Sequence, residues 1–170
     1  MTRFRGLVWR HVPVGAVPLH LGWILKASRG RWNSQRPRLP CLSTSLVPEG
    51  AVAEFEKHLA EYRAPRRRDL VSIQVSVGPV LNLTSPRNLR RLGIDPNVLT
   101  GDRPSDLVAC RAIAREHVLH GSYRAILAPS AALQSAIDLM IYIERTHGIA
   151  ELHDGPDRIT VLPGYRGPFS

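Results

Sequence analysis

The sequence predicts an α+β fold built on a mixed or mostly antiparallel sheet. Three observations carry that expectation. Strand-like segments outnumber helical ones, the two kinds do not alternate in regular strand–helix units, and "LVSIQVSV" (70–77) alternates strictly, like a strand with one covered face. A chain of 170 residues is long enough to bury a substantial core, and one domain over 1–170 is expected.

"LVWRHV" (7–12) reads as a short strand, and 13–37 as a long irregular segment ending in the "GRWN" turn and its sequel. "RLPCLSTS" (38–45) reads as a strand, extended by Pro40 before Cys41. "PEGAVAEFEKHLAEY" (48–62) is expected to be a helix, with Val52, Phe55, Leu59 and Tyr62 on one stripe and Pro48 in the first turn. "RAPRRRD" (63–69) is a basic connection into strand 70–77, whose Val71, Ile73, Val75 and Val77 share one face and Ser72, Gln74 and Ser76 the other. "SPRNLRRLG" (85–93) has a cap serine, a proline at the first helical position and a glycine stop. A longer helix follows over 105–121, with Leu107, Cys110, Ala114 and Val118 inward. Segments 123–128, 138–144, 149–153 and 158–162 close the chain as strands.

Composition narrows the function. Cys41 and Cys110 are far apart and lack metal-ligand spacing, which speaks for a reducing compartment and against a disulfide framework or a zinc site. No metal is expected. The uncharged run Val12 to Leu25 is short and broken by Pro13 and Pro18, so neither a membrane span nor a signal peptide is expected, and the economical location is the cytoplasm. The net charge of +9 suits a nucleic acid, a phosphate-rich small ligand or an acidic protein. It is carried almost wholly by arginine, as a GC-rich genome also produces; the lysines are Lys26 and Lys57.

Phosphate-loop, dinucleotide-fold and GxSxG patterns are missing. Arg66, Arg67 and Arg68 suit nucleic-acid phosphates, but without interleaved aromatics they read more simply as a solvated loop. Residues 86–120 do not have helix-turn-helix spacing. Glu54 and Glu56 both flank the apolar stripe of helix 48–62, and periodicity does not choose between them. Arg10 is harder to dismiss, because an arginine inside an apolar strand needs a partner anion. Arg31 and Trp32 stand side by side in "SRGRWNSQRP" (28–37), either as a pocket wall or as a core plug beside a solvated arginine.

The order of these pieces resembles the RES domain, a toxin family named for Arg, Glu and Ser and usually encoded beside a helix-turn-helix, Xre-like antitoxin. The resemblance covers most of the chain: "VWRHV", "GRWN", an extended strand, "AVAEFEKHL", "LNLTSPRNLRRLGI", "CRAIAREHVLHGSYRAILAPSA" and "DLMIYIE". It implies an ADP-ribosyltransferase-like fold and NAD as substrate. The reaction it implies is hydrolysis or phosphorolysis of the nicotinamide–ribose bond, with inorganic phosphate as a second substrate, or transfer of ADP-ribose to a protein target. The family's glutamate and arginine fall on Glu54 and Arg31, the implied catalytic residues, and its serine on Ser130. Arg10, Arg31, Trp32, Ser130, Cys41 and Asp138 are the implied ligand-binding positions. Cys41 stands where the family has a tyrosine thought to line the nicotinamide site, and Asp138 where it has an asparagine. These two departures support the alternative of a catalytically decayed homologue that acts as a basic nucleic-acid- or protein-binding module.

Overall fold

The structure, a computed structural model, describes residues 2–19, 30–35, 38–59, 67–145 and 151–161. Its strands are β1 (Phe4–Pro13), β2 (Ser34–Gln35), β3 (Arg38–Leu39), β4 (Leu42–Ser45), β5 (Arg68–Val77), β6 (Val80–Asn82), β7 (Ala125–Pro129), β8 (Ile137–Ile141) and β9 (Glu151–Val161). The α-helices among the described residues are α1 (Pro48–Leu59), α2 (Pro86–Leu92), α3 (Asn97–Thr100) and α4 (Pro104–Ala114). Seven strands form one sheet in the order β6-β7-β8-β4-β1-β5-β9, while β2 and β3 pair separately. The β6–β7 pair is parallel and the other neighbours are antiparallel, so the sheet is mixed.

Local chemistry explains the best-read elements. Ser85 caps α2, its Oγ accepting from Asn88 N at 3.4 Å, Pro86 occupies the first turn, and Gly93 closes the helix at φ 65. Helix α4 continues through a π-helical turn at Arg115–Leu119, where His120 N donates to Arg115 O at 3.0 Å. Cys110, Ala114 and Val118 are buried as the stripe predicts; Leu107 is half-buried.

Four expectations need correction. Strand β5 is buried on both faces, so Ser72 and Ser76 are buried and Gln74 alone in that strand is exposed. Ser72 Oγ compensates for its burial by donating to Asp157 Oδ2 at 3.0 Å and accepting from Asp157 N at 3.1 Å. Arg68 belongs to β5 and is buried, so the basic run is not uniformly a solvated loop; Arg66 lies outside the described residues. The strand expected over 38–45 is interrupted at Pro40, which has no N–H for a ladder. The two closing strands are one, β9, whose pairing with β5 shifts register between Val71 and Ile73. Residues 60–62, the expected end of the first helix, lie outside the described residues.

Register fixes what shares a face. The pairs Trp9–Ser45, Ser45–Asp138 and Asp138–Ala128 form one continuous cross-strand row. Helix α1 packs Val52 and Phe55 against Trp9 and Leu70 at one end of that row. At the other end, Leu89 of α2, Leu99 of α3 and Cys110 and Ala114 of α4 pack with Ile126, Ala128, Met140 and Tyr142. The second face is apolar, with Val8, Leu42, Ile73, Leu139 and Ile141 fully buried. Among the described residues no helix is long and apolar enough to cross a membrane.

The seating of α1 depends on Gly50. A Cβ there would lie 2.0 Å from Ser45 Oγ and 3.0 Å from Ala136 Cβ. Gly50→Ala is therefore expected to lift α1 off β4 and lower stability by about 1–3 kcal/mol in denaturant melts. An unchanged melt would mean that α1 is not packed this closely.

Candidate functional site

Three separate elements converge on Glu54. Helix α1 supplies Glu54 itself, the segment after β7 supplies Ser130, and β8 supplies Asp138, with Ser45 of β4 beside it. Asp138 is buried with Ser130 and Ser45 beside its carboxyl, and its Oδ1 has no hydrogen-bond partner among the described residues; the Ser45 hydroxyl donates to Ile137 O at 3.3 Å. Burial first, and then the charge of Glu54, push the Asp138 carboxyl up to about 7, against the pull of the two serines. The site thus holds two carboxyl groups, one of them able to keep its proton near neutrality.

Ser130 is both a turn residue and a member of this group. Its Oγ accepts from Ala132 N at 3.3 Å and Leu133 N at 3.4 Å, which leaves the hydroxyl proton for Asp138. One helical turn beyond Glu54, His58 Nε2 lies 3.6 Å from Glu54 Oε2. Glu54, rather than Glu56, is therefore the α1 glutamate in the group.

Arg31 arrives from the opposite flank. Its Nη1 donates to Gly101 O at 2.6 Å and its Nη2 to Asp102 Oδ1 at 2.9 Å, in the loop between α3 and α4. Lys57 of α1 reaches the same carboxylate at 2.8 and 3.0 Å and also donates to Ala131 O at 3.1 Å. Arg31 and the Glu54–Ser130 group are thereby tied to one another through Lys57.

Trp32 answers the question its neighbours raise: its side chain is in the core, with Leu39, Cys41, Leu99 and Tyr142, and its carbonyl accepts from Tyr142 Oη at 3.2 Å. It holds the "GRWN" turn down so that Arg31 reaches Gly101 and Asp102. Cys41 is buried as well, donating through Sγ to Asn33 Oδ1 at 2.7 Å, and burial pushes its thiol up to about 12. It provides no ring and no reactive thiolate. Trp32→Ala is expected to cost about 3–5 kcal/mol in denaturant unfolding; a cost near zero would put the ring outside the core.

Arg10 is set apart. Strand alternation directs it to the sheet face opposite Trp9 and Ser45. Its Nη1 donates to Pro18 O at 3.3 Å, while its Nε is buried without a partner among the described residues. Burial and the nearby Arg68 lower its pKa to about 10. The neighbouring His11 packs its ring 5.6 Å from Phe55 and 6.2 Å from His58, and burial with Arg68 lowers its pKa to about 3, so it is neutral at physiological pH.

Sequence reasoning missed Lys57 and Asp102. Lys57 had a usable signal, because it follows Glu54 by three helical positions and shares its side of α1. Asp102 had none, since its partners come from distant parts of the chain. Among the described residues, no group of three or more His, Cys, Asp or Glu side chains is arranged to hold a metal.

No family model and no curated protein matches the sequence. Among solved structures, a chain of the M. tuberculosis MbcT–MbcA toxin–antitoxin complex is similar, with a TM-score of 0.69 and 19% sequence identity over 95% of this chain and 86% of that one. The two chains share one fold. It is an α+β fold, the class that the sequence predicts, and the likeness runs across nearly the whole chain. At 19% identity the likeness is one of fold, so the reading of the site rests on its own residues.

Proposed function

We propose that this chain is the toxin of a toxin–antitoxin pair and that it cleaves NAD at the nicotinamide–ribose bond. The convergence of Glu54, Ser130 and Asp138 from three elements, beside Arg31 and Lys57, supports this reading most directly. Loss of nicotinamide passes through an oxocarbenium-like ribose, and Glu54 stabilises that positive charge while holding a ribose hydroxyl. Ser130 donates a hydrogen bond to the ligand when it releases Asp138. The protonated Asp138 carboxyl does what an amide does, donating a hydrogen bond without adding a charge.

Arg31 binds the dinucleotide's phosphates with its planar fork. The acceptor of ADP-ribose is water, inorganic phosphate or a protein target. The antitoxin is a helix-turn-helix, Xre-like protein that covers the site, and the chain's net charge of +9 favours an acidic segment in that role. The setting is the cytoplasm, where NAD is available.

In bacteria, induction of the wild-type chain is expected to arrest growth and deplete NAD, and co-expression of its antitoxin to prevent both. Growth arrest with NAD intact would overturn the proposal. Cys41 favours the competing reading of a decayed homologue that binds nucleic acid or protein, because a buried thiol offers no ring to stack on nicotinamide. That reading predicts salt-dependent retention on DNA without NAD loss.

A further inference from the structure

We propose that Arg31 and Lys57 form one phosphate-binding subsite, and that the Asp102 carboxylate is the chain's own occupant of it until a phosphate displaces it. Each cation is fixed by one backbone carbonyl: Arg31 Nη1 on Gly101 O at 2.6 Å, Lys57 Nζ on Ala131 O at 3.1 Å. Their remaining donors meet on a single anion. Asp102 Oδ1 lies 2.9 Å from Arg31 Nη2 and 2.8 Å from Lys57 Nζ, and Oδ2 lies 3.0 Å from the same Nζ. Two cationic donor groups converging on paired oxygens is the geometry that a phosphate satisfies equally well.

The three side chains differ in a way that points to exchange. Arg31 is 12% exposed and Lys57 35%, whereas Asp102 is 67% exposed. The cations are held by the fold, and the anion reaches them from the solvent side. An ion network this open contributes little to stability, so its displacement costs little. The loop backbone is pinned independently. Arg103 donates to the buried Asp106 through N, Nε and Nη2 at 3.1, 3.0 and 2.9 Å, and Gly101 has no Cβ, which would otherwise meet Asp106 Oδ2 at 2.3 Å. Rotation of the Asp102 side chain is thus sufficient to open the subsite without moving the loop. Hydrogen bonding from Lys57 holds the Asp102 carboxyl below the usual carboxylate range, so it remains a charged competitor through neutral pH.

Lys57 lies three residues from Glu54, and Ala131 directly follows Ser130, so a phosphate here is at the rim of the proposed catalytic group. The subsite rests on the NAD-cleaving reading only for the source of its phosphate, which is either the dinucleotide or free inorganic phosphate. Calorimetric titration of the full chain with ADP-ribose, and separately with inorganic phosphate, tests it in the wild type, Asp102→Asn and Lys57→Gln. Asp102→Asn is expected to bind about tenfold more tightly, and Lys57→Gln about tenfold more weakly. Both variants break the same ion pair, so a purely structural role moves them in the same direction; only competition for a ligand moves them in opposite directions.

Opposite shifts with ADP-ribose alone assign the dinucleotide's phosphate; opposite shifts with inorganic phosphate alone assign the free ion. Shifts of the same sign, no shifts, or no binding of either probe by Asp102→Asn overturn the proposal. Opposite shifts in a chain that turns over no NAD retain the subsite and remove the NAD reading. Glu54-dependent NAD turnover with no opposite shifts does the reverse.

Discussion

Glu54→Gln is expected to lower NAD turnover by about a thousandfold while leaving the fold intact. Glutamine is nearly isosteric with glutamate and keeps a carbonyl oxygen, but it cannot offset the positive charge that develops on the ribose. The position tolerates the change structurally, because Glu54 is only partly buried and its described ion pair is the 3.6 Å contact with His58 on the same helix. Single-turnover kinetics and a thermal melt separate the two effects. Near wild-type turnover by a well-folded Glu54→Gln protein would remove Glu54 from the chemistry.

Asp138→Asn is expected to stabilise the protein at neutral pH and not in acid. The folded state holds the Asp138 carboxyl at about 7, against an ordinary value of 3.8 in the unfolded chain. Well below the unfolded value both states keep the proton, and the stability contribution is fully present. As pH rises from 4 through 7, the unfolded chain releases its proton more readily than the folded one, so the stability contribution present in acid is lost. At about 1.4 kcal/mol per pH unit, the loss approaches 4 kcal/mol by pH 7.5, as an upper bound. Asparagine has no proton to lose and keeps a hydrogen-bonding group toward Ser130 and Ser45. Urea unfolding at pH 4.5 and 7.5 checks the result: a gain of a few kcal/mol at pH 7.5, falling to about 1 kcal/mol or less at pH 4.5, is expected. An equal effect at both pH values would contradict the raised Asp138 carboxyl.

The elements that were legible in the sequence are those whose signals are local. Helix α2 shows its start and stop in Ser85, Pro86 and Gly93, and α1 shows its buried stripe in Val52 and Phe55. Strand β6 is three residues long and α3 four, too short for either periodicity to register. Strand β9 read as two because Gly155 and Pro156 punctuate it. Gly155 is there for close approach, since a Cβ would meet Ser72 Oγ at 2.2 Å. The buried serines of β5 were misplaced because alternation reveals which face a residue is on but not what packs over that face.

The site divides in the same way. The resemblance to the RES domain, not periodicity, singled out Glu54 and Ser130, and in the structure both lie beside Asp138. The sequence left open whether Trp32 is a pocket wall or a core plug, and its ring is in the core; it gave no sign that the neighbouring Arg31 is held against Gly101 and Asp102. Asp102 was invisible because its meaning comes wholly from Arg31 and Lys57, which are brought to it only by folding.

The most direct test of the central claim is product analysis of NAD incubated with the purified wild-type chain, with and without inorganic phosphate, by mass spectrometry. The account predicts free nicotinamide in every active sample, accompanied by ADP-ribose when water is the acceptor or by phosphorylated ADP-ribose when phosphate is. Intact NAD in both conditions, and also with bacterial extract added as a source of protein acceptors, would contradict it.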